Sequence, residues 1–336
     1  ITCLGMPETV KQAAVQGVLD SVHYPDPGCN RLVESISQSL SVNKNWILCG
    51  NGAAELVYDA LRVLKPGRAL VAAPGFFEYE QALRSVNCEI VYASLQEKEG
   101  FLVTSSFLET LQKTPGVELV ILTNPNNPTG RLIPSETLKR ILEVCQKKGI
   151  WFLLDECFLD FTEDYPENSQ VCQLEHYPRL LVLRAFTKMY AMPGLRMGYL
   201  LCREENFCRK IADSRQPWSV SVPAQEAALA ALEEEEFVRQ TREFLKKERP
   251  FLQSQLQELG FRVYGGEANF LFFFSEISSL REKLLPYQIL IRDCKNFTGL
   301  EKGYYRIAVR THEENLRLLE ALRELLKTER RNTAWQ

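Results

Sequence analysis

Seven short apolar runs, separated by amphipathic segments, occupy residues 46–202 and constrain the fold more than any other feature of the chain. Runs of this length that are apolar on both faces are typical of strands buried inside a sheet. Their alternation with helical patterns predicts an α/β fold, with a mostly parallel sheet covered by helices. The predicted strands are Trp46–Cys49, Ala69–Ala73, Glu89–Ala93, Leu119–Thr123, Trp151–Asp155, Leu180–Arg184 and Met197–Cys202, and the predicted helices include Ala53–Leu64, Phe77–Val86 and Ser135–Lys147.

After Pro223 the pattern changes to long charged helices and fewer strands. A helix is predicted over Ala224–Leu259, with its charges facing solvent. Further predictions are strands at Phe270–Phe274, Ile289–Arg292 and Tyr304–Val309, a final helix over His312–Leu326, and a polar, frayed end over residues 328–336. We therefore expect a large domain over residues 30–225 and a smaller α+β domain formed by residues 1–29 and 226–336.

Charge and cysteine content narrow the class of protein. The net charge of -3 and the lack of a basic stripe give no indication of a nucleic-acid partner. No stretch of 18 residues is apolar and free of charges, so no membrane span is expected. The ten cysteines are scattered, without a Cys-x-x-Cys pair or a histidine at ligand spacing. This pattern favours buried free thiols of a cytoplasmic protein, without a metal site.

The segment LCGNGAAEL (residues 48–56) leaves a predicted strand, turns through Gly50 and Gly52, and enters a helix near Ala53. In open α/β sheets, ligands bind where strands end and helices begin. Free backbone amides and the positive end of the helix dipole make such a turn a good anion site. Glycine turns before helices are common, so an ordinary turn is the alternative to a phosphate site.

Two further strand ends carry polar side chains. In TNPNNPTG (residues 123–130) we expect Asn126 and Asn127 to point their amides above the sheet, with an asparagine-rich turn as the alternative. In FLLDECF (residues 152–158), Asp155 ends a hydrophobic strand. A carboxylate is costly to bury there unless it meets a cation or a strong donor, so we expect a positively charged partner for Asp155.

Two cations follow in RAFTKMYAMPGLRMGYL (residues 184–200). Lys188 comes just after an apolar strand, and a lysine in a partly desolvated pocket can form a Schiff base with an aldehyde. Arg196 can hold a phosphate through two parallel hydrogen bonds. An aldehyde, a phosphate and a protonated ring nitrogen facing Asp155 together describe pyridoxal 5'-phosphate.

The motifs NPNNPTG, DE and TKMYAMPGLRMGY, in this order, resemble the fold-type I pyridoxal-phosphate enzymes of the class I and II aminotransferase superfamily over nearly the whole chain. The resemblance implies that Lys188 binds the cofactor aldehyde and that Arg196 binds its phosphate. It also implies that Asp155 pairs with the pyridinium nitrogen and keeps the ring an electron sink. Asn127 would hydrogen-bond the phenolate oxygen of the ring.

The same resemblance implies cofactor contacts from other segments. Phe76, in APGFFEY, would stack on the ring, where its aromatic area is useful. Tyr24, in HYPDP, would reach the cofactor phosphate of a neighbouring subunit, which implies a homodimer. For both residues an ordinary core aromatic is the alternative. The remaining phosphate contacts would come from Thr187 and the amides around Gly52, Ala53 and Ala54.

The segment QILIRDCKNFTGLEKGYYRIAVRT (residues 288–311) indicates the substrate. Arg292 and Arg306 each lie on an apolar predicted strand, which suggests an anionic partner, with ordinary salt bridges as the alternative. By the resemblance, Arg306 would bind a substrate carboxylate, with Asn127 also in contact with the substrate. Arg292 would bind a substrate phosphate, as in histidinol-phosphate aminotransferases and threonine-phosphate decarboxylases, because a phosphate carries about −1.5 to −2 charges.

Other segments are more similar to the threonine-phosphate decarboxylases of cobamide synthesis, among them HYPDP, PGFFEYEQAL, QPWSV and RDCKNFTGL. Phe158 also stands where aminotransferases usually carry a tyrosine. The resemblance thus implies a lyase that decarboxylates O-phospho-L-threonine to (R)-1-aminopropan-2-yl phosphate for the cobamide nucleotide loop. The alternative is a histidinol-phosphate-type aminotransferase that passes the amino group to 2-oxoglutarate.

The first residues depart from the family pattern. Residues 1–4 read Ile-Thr-Cys-Leu where the family usually has an Asn-x-Asn-Pro segment. We therefore expect an altered N-terminal substrate contact. Because the chain begins at Ile1 rather than at methionine, we also expect that a further N-terminal piece precedes it.

Overall fold

A seven-stranded sheet forms the centre of the computed structural model, which describes residues 1–333. Its strands are β1 (Ile47–Asn51), β2 (Arg68–Ala73), β3 (Glu89–Ser94), β4 (Leu119–Thr123), β5 (Trp151–Asp155), β6 (Leu180–Ala185) and β7 (Met197–Cys202). They lie in the order β1-β7-β6-β5-β4-β2-β3. Strands β2 to β6 run parallel, while β7 runs antiparallel to both β1 and β6. The predicted α/β fold with a mostly parallel sheet is confirmed.

A second, four-stranded antiparallel sheet follows in the sequence. It consists of β8 (Arg262–Val263), β9 (Phe270–Phe274), β10 (Arg292–Asp293) and β11 (Tyr304–Ala308), in the order β10-β11-β9-β8. The strand predicted over Ile289–Arg292 is wrong in its first three residues. Gln288 adopts the left-handed conformation, and the Ile289 amide donates to the carbonyl of Leu284, so the chain is still turning there.

Twelve α-helices are present in residues 1–333. They are α1 (Glu8–Leu19), α2 (Asn30–Leu40), α3 (Ala53–Leu64), α4 (Phe77–Ser85), α5 (Ser105–Lys113), α6 (Ser135–Lys148), α7 (Phe186–Met189), α8 (Glu205–Ser214), α9 (Val222–Leu232), α10 (Glu235–Glu258), α11 (Leu280–Leu284) and α12 (His312–Thr333). Helix α12 continues past its predicted end at Leu326. The prediction of a frayed end from residue 328 is therefore wrong for residues 328–333, which are helical. Residues 334–336 lie outside the described part.

The single helix predicted over Ala224–Leu259 is instead two helices, α9 and α10. The chain leaves helical geometry at Glu234, where ψ is 46°. Helix α9 buries an alanine face in the core beside the first sheet and packs against α1, whereas α10 packs against the second sheet. The change of direction between those two cores explains the break, which the helix-forming run Glu233–Glu236 does not reveal by composition.

Both faces of the first sheet are buried. In β5, Phe152 and Leu154 join the hydrophobic cluster on one face, and Leu153 joins the cluster on the other face. Each such side chain contributes roughly 1.5–3 kcal/mol when fully buried. A third cluster underlies the second sheet. Since Val10 of α1 belongs to the first cluster, the N-terminal residues also pack near the first sheet. The division into domains at residues 30 and 225 stays a prediction.

Two other sequence expectations concern the environment of the protein. Among the helices of residues 1–333, none combines the length and apolar character needed to cross a membrane. All ten cysteines are free thiols, and eight of them are buried.

Candidate active site

A cavity of about 350 Å³, hereafter the inner cavity, lies at the carboxyl ends of β4, β5 and β6. It is the place where a doubly covered α/β sheet is expected to bind a ligand. The sequence-predicted residues that line it are Ala53, Ala54, Phe76, Asn127, Asp155, Thr187, Lys188, Arg196 and Arg306. These residues come from six separate segments of the chain, and the fold brings them into one place.

Asp155 is buried at the end of β5 and faces the inner cavity, with 8% of its surface exposed. Its Oδ1 accepts a hydrogen bond from the Cys157 amide at 2.7 Å, and its Oδ2 accepts one from the Tyr79 hydroxyl. No cation in the described part of the chain forms an ion pair with it. The two donors satisfy part of the carboxylate, but its negative charge has no cationic partner among the described residues, so a positively charged ligand group in the cavity would complete the site. A protonated ring nitrogen fits this position.

The opposite end of the cavity is suited to an anion. Helix α3 begins at Ala53 without a side-chain cap, so its first amides are available. Gly52 has a φ of 81°, and a Cβ there would clash with a terminal nitrogen of Arg196. The glycine therefore lets the guanidinium approach the helix terminus. An uncapped helix N-terminus beside an arginine is a suitable phosphate site.

Lys188 lies between the two ends of the inner cavity, on the short helix α7 that joins β6 to β7. Its Nζ is 3.4 Å from the Thr187 hydroxyl and 6.0 Å from the centre of the Phe158 ring. The Lys188 carbonyl accepts a hydrogen bond from the Thr2 amide at 3.0 Å, so the N-terminal segment crosses close to the site. The amine thus has an apolar wall on one side and a hydroxyl on the other.

The two asparagines of the loop over residues 123–130 have different environments. Asn127 lines the inner cavity, and its Oδ1 accepts a hydrogen bond from Arg306. Asn126 instead donates to the Pro74 carbonyl and accepts from the Thr123 hydroxyl, both at 3.1 Å. The expectation that both amides point above the sheet is therefore wrong for Asn126, which holds the loop in place.

A second cavity of about 690 Å³, hereafter the outer cavity, adjoins the inner one and shares Lys188, Phe158 and Arg306 with it. Arg292 on β10 and Arg306 on β11 are directly opposite each other in the antiparallel pair, so their side chains share one face of the sheet. Burial lowers the pKa of Arg306. Like charges placed opposite each other destabilise a sheet unless an anion lies between them.

The two aromatic residues predicted to touch the cofactor differ in position. Phe76 is half-buried and lines the inner cavity. Tyr24 lies outside both cavities, is 80% exposed, and has its ring centre 4.8 Å from that of Trp218. A core role for Tyr24 is therefore excluded.

Two groups of functional interest were missed from the sequence. Tyr79 was not distinguished from the other aromatics of its segment, although it stands one helical turn after Phe76. A buried network of Arg184 with Glu156 (3.2 Å) and Asp160 lies behind the ends of β5 and β6. Burial raises the pKa of Glu156, while Arg184 opposes that rise. Glu156 lies in the DE segment and Arg184 in the LRAFTK segment, but the periodicity of the sequence does not show that their side chains form an ion pair.

The unpaired buried carboxylate, the uncapped helix end beside Arg196 and the lysine between them define a pyridoxal-phosphate enzyme. The chain belongs to the family of class I and II aminotransferases, whose model matches residues 9–322. The cofactor is pyridoxal 5'-phosphate, as the sequence predicted. Of the described residues, no three or more His, Cys, Asp and Glu side chains form a group that could hold a metal ion.

Individual relatives are similar over nearly the full chain. Threonine-phosphate decarboxylase of Salmonella typhimurium is 38% identical over 329 residues, which are 97% of this chain and 89% of the relative. The structure of a histidinol-phosphate aminotransferase from Clostridium acetobutylicum matches with a TM-score of 0.90 and 30% identity, covering 98% of both chains. That of an L-threonine-O-3-phosphate decarboxylase from Porphyromonas gingivalis matches with a TM-score of 0.83 and 26% identity, covering 96% of both.

Proposed function

We propose that this protein decarboxylates O-phospho-L-threonine to (R)-1-aminopropan-2-yl phosphate, as a pyridoxal-phosphate-dependent lyase. The observation that carries the proposal is the pair of arginines, Arg292 and Arg306, placed opposite each other beside Lys188. Two cations at different depths suit a substrate with two anionic groups. The 38% identity to a threonine-phosphate decarboxylase supports the choice of substrate.

The inner cavity would hold the cofactor through the residues already described. Arg196, Thr187 and the first amides of α3 would bind its phosphate, with Gly52 leaving room for the guanidinium. Asp155 would face the ring nitrogen, and Phe76 would lie against the ring. Asn127 would contact the ring oxygen. When bound, pyridoxal phosphate draws the electrons of a broken bond at the substrate's Cα into its protonated ring.

The arginines would orient the substrate, and orientation decides which bond at Cα breaks. Arg306, deeper and bonded to Asn127, would hold the carboxylate, while the exposed Arg292 would hold the phosphate. Fixing both ends would set the rotation about the Cα–N bond, and we propose that it directs the carboxylate bond to break. The electron pair of that bond would be left on the Cα side, carbon dioxide would leave, and Lys188 Nζ would donate a proton to Cα. The half-buried Phe158 provides an apolar wall beside Lys188, which favours loss of the charged carboxylate as a neutral gas.

Amino transfer is the second candidate function. The specific observation in its favour is the TM-score of 0.90 with a histidinol-phosphate aminotransferase, above the 0.83 found for a decarboxylase. These scores compare backbones, whereas the substrate is chosen by side chains. The 38% identity with the threonine-phosphate decarboxylase of Salmonella typhimurium therefore weighs more than the closer backbone superposition on an aminotransferase that is 30% identical.

The test uses purified protein loaded with cofactor. Carbon dioxide release is recorded with O-phospho-L-threonine, and glutamate formation is recorded in parallel with histidinol phosphate and 2-oxoglutarate. Carbon dioxide without glutamate is the expected result. Glutamate without carbon dioxide would overturn the proposal in favour of an aminotransferase.

A homodimer forms part of the proposal. Several large apolar side chains near the end of α1 and in the loop after it are exposed: Val15, Val18, Leu19 and Val22. They lie in the same segment as Tyr24, and an exposed apolar patch of this kind is typical of a binding surface. A second copy covering it would let Tyr24 reach the partner's cofactor phosphate. Sedimentation analysis of the unchanged protein and of Val18→Asp checks this, since the charge is expected to shift the equilibrium towards monomer.

Location and pathway complete the proposal. The ten free thiols support a cytoplasmic location, where thiols stay reduced. The product would be used in making the cobamide nucleotide loop. Growth without added aminopropanol phosphate, in a strain that lacks the decarboxylase activity, would test that assignment.

A further inference from the structure

The hydrogen bond between Tyr79 and Asp155 joins two buried side chains that are 76 residues apart in the sequence. Tyr79 has 5% of its surface exposed and belongs to the hydrophobic cluster on one face of the first sheet. A tyrosine in such a place has no water to bond, so it uses whichever acceptor it meets. Here the acceptor is the carboxylate that would face the ring nitrogen of the cofactor.

Phe76 and Tyr79, at the start of α4, lie on the same wall of the inner cavity but differ in what they contact. Phe76 precedes the helix, and Tyr79 stands three residues later, so both side chains reach the cavity. Their rings meet edge to face, with centres 5.6 Å apart. One helix terminus thus supplies both an apolar face for the ring and a hydroxyl for Asp155.

Tyr79 is suited to donate a hydrogen bond and not to transfer a proton. Burial raises the pKa of its hydroxyl well above the usual range, and the charge of Asp155 raises it further. The hydroxyl therefore stays neutral wherever the enzyme works. The Cys157 amide holds the other oxygen of the carboxylate, so the two donors together fix the plane of Asp155.

We infer that Tyr79 is a positioning residue, whose hydroxyl fixes the Asp155 carboxylate and sets how strongly that carboxylate acts on the ring nitrogen of the bound cofactor. The inference rests on the proposed function only for the cofactor and not for the substrate. Without the hydroxyl, the Asp155 carboxylate would lose one of the two donors that fix its plane and could turn away from the ring. A carboxylate that is turned away would hold the proton on the ring nitrogen less firmly.

The test is Tyr79→Phe, which removes one oxygen and keeps the ring in the core. The visible absorbance of cofactor-loaded protein is titrated with pH, since it reports the proton on the nitrogen that joins Lys188 to the cofactor. A ring nitrogen that has lost its proton no longer repels the positive charge on the nitrogen joined to Lys188. The midpoint is therefore expected to rise, by about one pH unit for the loss of one hydrogen bond to a charged group.

Three further measurements make the result specific. Cofactor affinity, from titration of the protein stripped of cofactor, is expected to fall roughly tenfold in Tyr79→Phe. Asp155→Asn, which removes the charge itself, is expected to shift the midpoint further in the same direction. Tyr79→His keeps an N–H donor and is expected to lie between the Phe variant and the unchanged protein.

The matched control is Tyr92→Phe. The Tyr92 hydroxyl also donates to a buried carboxylate, that of Glu80, at 2.9 Å, and Tyr92 does not line the inner cavity. This variant is expected to lower the melting temperature without moving the absorbance midpoint. An unmoved midpoint in Tyr79→Phe, or equal shifts in Tyr79→Phe and Tyr92→Phe, would overturn the inference. No substrate is used, so these outcomes are independent of whether the protein decarboxylates O-phospho-L-threonine.

Discussion

The inner and outer cavities share Lys188 but differ in how their polar groups are held. In the inner cavity, Asp155 at the end of β5 and Asn127 in the loop after β4 are both buried and already have protein partners. In the outer cavity, Arg292 lies exposed on the two-residue strand β10, donating to Asn296 at 2.9 Å. The first set is fixed before any ligand arrives, whereas the second is placed to receive one.

This difference separates two parts of the chemistry. A preorganised inner cavity suits a cofactor that is used repeatedly and must be held in one orientation. Because the outer cavity is built on the smaller sheet, its arginines can be substituted without moving the residues that hold the cofactor. Substitutions in the inner cavity should therefore act on every reaction, while those in the outer cavity should act on particular substrates.

The largest expected effect is that of Lys188→Ala, which removes the amine shared by both cavities. We expect carbon dioxide release to fall by about 10³-fold or more, since proton transfer by a positioned side chain contributes up to about 10⁴-fold. The exposed Lys147→Ala serves as the control. Partial recovery on adding a small primary amine would support the assigned role. Activity near that of the control would show that Lys188 does not carry the reaction.

The next effect is that of Arg292→Ala, which tests the outer cavity alone. We expect KM for O-phospho-L-threonine to rise by about 10–100-fold, because hydrogen bonds to charged groups contribute about 1.5–3 kcal/mol. Cofactor affinity should not change. Arg281→Ala is the control, since the Arg281 side chain is 42% exposed, pairs with Glu282 at 3.1 Å and does not line the outer cavity. An unaltered KM in Arg292→Ala would remove the phosphate assignment.

The first sheet was more predictable from the sequence than the second. Strands β4, β5 and β7 begin and end at the predicted residues because each is an apolar run that is buried on both faces. In the second sheet, β9 also has its predicted bounds and β11 begins at the predicted residue, whereas the two-residue strands β8 and β10 were missed or misplaced because packing decides where they begin. Ile289 is apolar, but its amide bonds within a turn, and only Arg292 and Asp293 pair with β11.

The site shows the same contrast. That Lys188 and Asp155 line one cavity could be predicted, because a charged residue at or just after the end of an apolar strand is conspicuous. Tyr79 could not, because an aromatic residue on an amphipathic helix has the pattern of ordinary core. Its role depends on the hydroxyl meeting Asp155, a contact between α4 and β5 that only the folded chain creates. The same holds for Arg184 and Glu156.

A smaller effect is expected at the phosphate end of the inner cavity, from Gly52→Ala. The added Cβ would displace the Arg196 guanidinium, and the φ of 81° is unfavourable for alanine. We expect cofactor affinity to fall about tenfold, equivalent to about 1.4 kcal/mol. Gly100→Ala is the control for an alanine at a positive φ (62°) with nothing within 4 Å of the added Cβ, and it should leave cofactor affinity unchanged. An unchanged affinity in Gly52→Ala would mean that the approach of Arg196 to the helix terminus does not contribute to phosphate binding.

The smallest effect concerns the contact that links the two sheets. Glu97, in the short 3-10 helix Glu97–Glu99 after β3, accepts hydrogen bonds from the hydroxyls of Tyr264 and Tyr304 and pairs with Arg262 at 3.0 Å. These bonds, chiefly that from Tyr264, lower the pKa of Glu97. Tyr304 lies on β11, the strand that carries Arg306. Glu97 therefore couples the outer cavity to the sheet that forms the inner one.

Glu97→Gln tests whether that coupling depends on charge. A carboxyl with a lowered pKa in the folded state stabilises the protein above its unfolded pKa near 4.5, and this stabilisation is lost as pH falls through the lowered value. The unfolding free energy should therefore drop by less than about 1 kcal/mol near neutral pH, because the side chain is 40% exposed and screened by solvent. Below pH 4 the difference in unfolding free energy from the unchanged protein should shrink.

The control is Glu301→Gln, in the exposed loop before β11, which should show no such dependence on pH. A deficit that stays constant down to acid pH would mean that the side chain acts through packing and not through its charge.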